Sequence, residues 1–144
     1  MSMFDALRIS ASGMTAERLR MDVIAGNLAN ANTTRTAAGG PYRRREVILQ
    51  EVGGSADAGF ATFGQAAASQ GVEVKAVVDD ASAGRLVYDP SSPDANAQGM
   101  VRMPNVEPVK EMVDLITATR AYEAGTTVIN NIKTEFTRAL DVLR

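Results

Sequence analysis

Phe4-Asp-Ala-Leu-Arg-Ile-Ser-Ala-Ser-Gly-Met-Thr-Ala-Glu-Arg-Leu-Arg-Met-Asp-Val-Ile-Ala-Gly-Asn-Leu28 decides the fold. Phe4, Leu7, Ala11, Met14, Arg18, Met21, Ala25 and Leu28 alternate spacings of three and four, and only Arg18 interrupts the apolar register. A period near 3.5 held over this length keeps one seam turned toward a partner helix. The reading predicts a helix from Met3 to about Ala31, with Ser2 and Asp5 as a capping-box start. An amphipathic helix lying on its own core is the alternative.

The partner lies at the other end of the chain. Residues from about Glu107 to Leu143 read as a longer helix, with Asn105 expected as N-cap and Pro108 confined to the first turn. Its seam runs through Met112, Leu115, Thr119, Tyr122, Thr126, Ile129, Lys133, Phe136, Leu140 and Leu143. A second stripe of Val109, Val113, Ile116, Val128, Ile132, Ala139 and Val142 faces solvent unless something covers it. At 1.5 Å per residue the two helices span roughly 42 and 55 Å, too long to wrap a small globule. They are expected as an antiparallel, coiled-coil-like hairpin.

Between them the composition changes. Short strand-like runs at 45–52, 72–79, 85–88 and 100–103 alternate with Gly, Pro, Ser and Asp. The fold class is therefore α+β. Residues 1–32 with 105–144 form a terminal helical unit, and 33–104 an inserted β-rich module whose Ala/Gly-rich stretch 53–70 is expected as a mobile loop.

Composition removes most enzyme chemistry. The 144 residues include no Cys and no His. Disulfides, Cys–His nucleophiles, imidazole acid–base work and most zinc sites are thereby absent. Asp79-Asp80 and Asp89…Asp94 are too sparse for a calcium loop, and turn chemistry explains them better. Changing Asp94 is accordingly expected to do little. No catalytic residue, cofactor site or metal site can be named.

Arg43-Arg44-Arg45 is the one dense basic run, read as a solvated strand start against contact with phosphate or an acidic partner. Nucleic acid is poorly supported. The net charge of −2 divides unevenly: residues 1–50 carry seven Lys/Arg against four Asp/Glu, whereas 51–144 carry eight against thirteen. Opposite faces of such a molecule can attract when copies stack. Charged residues interrupt every candidate secretory run.

The end of the first helix, Gly26-Asn-Leu-Ala-Asn-Ala-Asn-Thr33, is rich in poor helix formers. Asn amides there can bond across to neighbours and fix register.

Ser10-Ala-Ser-Gly-Met-Thr-Ala-Glu17 and Arg20-Met-Asp-Val-Ile-Ala-Gly-Asn-Leu-Ala-Asn-Ala-Asn-Thr33 resemble the N-terminal motif of bacterial flagellar rod and hook proteins. Gly99-Met-Val-Arg-Met-Pro-Asn-Val-Glu107, Glu111-Met112 and Arg120-Ala-Tyr-Glu-Ala124 are similar to their C-terminal pattern, and with Pro41-Tyr42 and Leu86–Pro90 point to the basal-body rod subunits of the proximal rod. The pattern usually has Asn at position 125. Gly there is expected to loosen the helix.

The resemblance implies a structural subunit, not an enzyme. It implies export through the flagellar type III apparatus without a cleaved signal, and polymerisation through the terminal helices into a tube that carries torque across the periplasm. Implied partners are copies of the chain, other rod subunits, and the membrane ring and export apparatus at the rod base, with no small-molecule substrate. The residues expected at subunit interfaces are Leu7, Met14, Met21, Asn27, Leu28, Asn30, Met112, Leu115, Tyr122, Ile129, Ile132, Phe136 and Leu140. The isolated subunit is expected to have poorly ordered ends that fold on assembly. A soluble helical-hairpin adaptor that dimerises is the competing reading.

Overall fold

The computed structural model describes residues 3–52 and 71–142. The expected Ser2 cap, the 53–70 loop and Leu143 lie outside the described residues. The order is α1 (Met3–Ala29), β1 (Arg45–Glu51), β2 (Val72–Asp79), β3 (Leu86–Tyr88), β4 (Met100–Arg102) and α2 (Pro108–Val142). The two helices pack against each other as an antiparallel pair. The strands form two separate antiparallel ribbons, β1–β2 and β3–β4. Isolated two-stranded ribbons are marginal in water, and β1–β2 gains support by lying against α1. No helix among the described residues is long and apolar enough to cross a membrane.

The face that α1 buries differs from the expected seam. Ala16, Val23, Ile24 and Asn27 are buried, while Ala11, Arg18 and Ala25 are exposed. The cause is the ribbon, which shares α1 with α2 and rotates its buried face away from a pure two-helix seam. The anchor is Ser12. Its hydroxyl donates to the Ile9 carbonyl and accepts the Val72 N–H at 3.1 Å, pinning the start of β2 to the helix. Gly71 is required beside it. Its φ is +116°, and a Cβ there would sit 2.3 Å from Ser12 Oγ.

On α2 the line turned toward α1 runs Glu111, Leu115, Ala118, Tyr122, Gly125, Ile129, Ile132 and Phe136, all but Phe136 buried or half-buried. Spacings of four and three alternate, as a helix pair requires. This line keeps Leu115, Tyr122, Ile129 and Phe136 of the expected seam and moves Met112, Thr126 and Lys133 off it. Gly125 makes room for Met14: a Cβ would meet Met14 Cγ at 2.7 Å. The helix runs unbroken through it. We expect Gly125→Ala to stabilise a Met14→Ala background by about 1 kcal/mol, the helix-propensity gain, and to give less with Met14 present. Urea unfolding of the four variants measures that coupling.

Asn105 is not the N-cap of α2. Pro108 is the first helical residue, and the Glu107 carbonyl accepts the Glu111 N–H at 3.0 Å. Asn105 instead accepts the Arg44 N–H at 2.7 Å and donates to the Asp80 carbonyl and Ser82 Oγ, tying three loops together.

Asp89 behaves as a turn residue, accepting from Ser91 Oγ and the Ser91 N–H. Those bonds lower its pKa below the ordinary 3.8, and the backbone and side chain of Ser82 do the same for Asp80. Both carboxylates bind protons less readily folded than unfolded. Their contribution is complete above the ordinary value and is lost as pH falls through the folded one. Carboxyl chemical shifts are therefore expected to titrate below 3.8 at both positions, with the turns unchanged between pH 5 and 7.

Asp94 has a larger role than a turn. It accepts from Thr34 Oγ1 at 2.8 Å and lies 3.6 Å from Arg35, clasping the loop after α1 to the loop between β3 and β4. We expect Asp94→Ala to cost about 1–1.5 kcal/mol and to raise amide exchange on both loops together, which a residue serving only its own turn does not do.

Candidate functional site

Two features stand out: a buried polar junction, and apolar helix surface left uncovered.

The junction forms where the end of α1, the start of β1 and the first turns of α2 meet. Asn27 is fully buried. Its Oδ1 accepts the Arg45 N–H at 2.9 Å and the Tyr42 hydroxyl at 3.0 Å. Its Nδ2 donates to the Arg45 carbonyl at 2.8 Å and to Glu111 Oε2 at 3.0 Å. All four hydrogen-bonding positions of the amide are used. Glu111 is also fully buried, and its Oε1 accepts Arg44 Nε at 2.5 Å. Arg44 further reaches Glu46 and lies 3.8 Å from Asp114.

The basic run is thus divided. Arg44 is an internal counter-ion, Arg45 stacks over the Tyr42 ring at 5.9 Å, and Arg43 is exposed. The solvated strand start holds for the exposed Arg43 and Arg45, and Arg44 departs from it by pairing inward with Glu111. The cross-helix role expected of the Asn-rich segment is carried by Asn27. Asn30 closes the helix end, its amide donating to the Gly26 carbonyl and its Oδ1 accepting from Thr33.

The uncovered surface lies on the helices. At the free end of the hairpin, Phe4, Leu7, Ile129, Ile132, Lys133 and Phe136 line an apolar groove of about 330 Å³. Phe4 is 72% exposed, Phe136 44% and Leu140 50%. Farther along α2, Val109 is 76% exposed, with Met112, Val113 and Ile116 each about half exposed. Of the expected interface residues, Asn27 is spent inside the chain. Met21 and Met14 contact Thr119 and Gly125 across the helix pair. Leu28, Asn30, Leu115 and Tyr122 are half-buried, and Met112, Phe136 and Leu140 stand open.

Among the described residues the buried apolar side chains are six, and the large apolar side chains left exposed are fifteen. That ratio describes a surface made to be covered. No cluster of three acidic side chains suited to a metal ion occurs among them.

Two family models match the chain: "Flagella basal body rod protein" over residues 7–35, and "Flagellar basal body rod FlgEFG protein C-terminal" over 97–141. The chain is 46% identical to the flagellar basal-body rod protein FlgC of Bacillus subtilis, covering 99% of both. It is 42% identical to FlgC of Borreliella burgdorferi over 100% of this chain and 99% of that one, and 39% identical to FlgC of Aquifex aeolicus over 98% and 97%.

Proposed function

Because the chain belongs to the flagellar basal-body rod protein family, we propose that it is a structural subunit of the rod, in its proximal part, polymerising through its terminal helices. The observation that carries this reading is the uncovered apolar surface on a helix pair that is already complete. Burying a large apolar side chain is worth about 1.5–3 kcal/mol, so covering the exposed parts of Val109, Met112, Val113 and Ile116 is worth roughly 4–7 kcal/mol. Association alone costs about 4–15 kcal/mol. One such contact does not hold a dimer in dilute solution. Several per subunit, as a tubular lattice supplies, hold a polymer.

In this reading residues 1–32 and 105–144 build the inner tube and 33–104 faces outward, with torque passing between copies through the helices. The partners are further copies and other rod subunits, then the membrane ring and export apparatus at the base. The chain works in the periplasmic part of the basal body, reached through the flagellar export route, and catalyses nothing. The Cys-free composition supports passage through an oxidising compartment without disulfide errors. A strain lacking the chain tests the proposal: basal bodies are expected to keep rings and lose rods and hooks, with the supplied gene restoring both. Intact basal bodies in that strain contradict it.

A further inference from the structure

We propose, on the rod-subunit reading, that the exposed start of α2 in one copy docks antiparallel on the exposed face of α1 in a second copy. Its register is set by two ion pairs, Arg120 with Asp22 and Arg18 with Glu123.

The donor face is Val109, Val113, Ile116, Arg120 and Glu123, all exposed and spaced by three or four residues. At 100° per residue it lies opposite the line through Leu115, Ala118 and Tyr122 that meets α1. Among the described residues, α1 meets the other side of α2. The acceptor face is Ala11, Thr15, Arg18, Asp22, Ala25 and Ala29, exposed at the same period. Arg18, Asp22, Arg120 and Glu123 form no ion pair among the described residues.

An antiparallel crossing that seats Ile116 on Ala25 brings Met112 to Ala29, Arg120 beside Asp22 and Glu123 beside Arg18. Ile116 and Met112 each land on an alanine methyl group, Val113 falls beside Leu28, and both charge pairs have opposite sign. An isologous contact between two α2 helices meets one demand or the other. Pairing Arg120 with Glu123 puts Ile116 on Thr127 and Val109 on Thr134. Pairing Val109 with Ile116 leaves the charges unmet. Exposed ion pairs contribute little by themselves, but at a contact they reject wrong registers. The contact pairs unlike surfaces, and where two copies do not reciprocate it, each docked copy presents a fresh donor face, as a head-to-tail assembly requires.

The absence of native Cys permits a direct test. Ala25→Cys and Ile116→Cys are introduced together into the full chain, expressed in cells lacking the native copy. Ile116 faces away from α1, so no disulfide closes within one chain. Mild oxidation of isolated basal bodies is expected to give a ladder of chain multiples on a non-reducing gel, and neither single variant is expected to give one. Separately, Arg120→Asp and Asp22→Arg are each expected to lose swarming, and their combination to regain it. Motile cells with normal rods and no ladder overturn the docking while leaving the rod assignment standing. So does failure of the double charge swap to restore swarming. Rods present without the chain overturn the rod assignment itself.

Discussion

Replacing Asn27 with Ala is expected to remove about 3–5 kcal/mol of stability, measured as a drop in the urea midpoint at unchanged slope. The substitution strands one oxygen of the fully buried Glu111, removes the partners of the part-buried Arg45 N–H and carbonyl, and leaves the Tyr42 hydroxyl with Arg45 Nε alone. Each neutral group left buried without a partner costs about 1–3 kcal/mol. Relaxation and water entry recover part of the total. Removing the other side, Glu111→Ala, leaves the Arg44 guanidinium without its buried partner and is expected to cost a similar 3–5 kcal/mol. The double variant is expected to cost much less than the sum of the two, because both singles break one network. Additive effects show that the junction is not a unit. Domains are typically stable by about 5–15 kcal/mol, so either single change removes a large fraction.

The second large effect falls on assembly and spares the fold. Phe136→Asp and Leu140→Asp change side chains 44% and 50% exposed in the single chain. Stability is expected to fall by less than about 1 kcal/mol for Leu140→Asp, as for a surface change, and by about 1–2 kcal/mol for Phe136→Asp, whose ring is partly covered beside α1. Once a neighbour covers the site, an unpaired carboxylate must be stripped of water, which no apolar contact offsets. Both variants are expected to be made and exported at normal levels and to leave cells non-motile, with the chain missing from isolated basal bodies. Normal swarming removes the terminal helices from the assembly contact. A large fall in the unfolding midpoint instead places these residues in the chain's own core.

The contrast between these sites shows how far local pattern carries. Both helices and all four strands are legible from residue period, and β2 matches its expected span, because 3.5- and two-residue periods are local properties. The buried face of α1 is not legible. It is set by the β1–β2 ribbon, whose anchor at Ser12 bonds a residue 60 positions away. The same applies to Arg44, whose partner Glu111 is 67 positions distant, and to Asp94, which reaches back 60 residues to Thr34. A charge run or a turn motif has the same local composition whether its far partner exists or not. Asn27 was detectable because an amide among poor helix formers calls for compensation, although its partners were not. Asn105 was misplaced for the opposite reason: a capping residue two positions too early is locally indistinguishable from a loop tie.

The apolar surface of α2 carries the central claim, that a complete hairpin keeps one helix face for neighbours. Met112 reports on it directly, being 49% exposed in the single chain. Brief peroxide oxidation of the isolated chain and of intact basal bodies, read by mass spectrometry, measures its sulfoxide in each state. The account predicts rapid oxidation in the isolated chain and strong protection in the basal body. Equal oxidation in both states contradicts it, because the face then remains open to water after assembly.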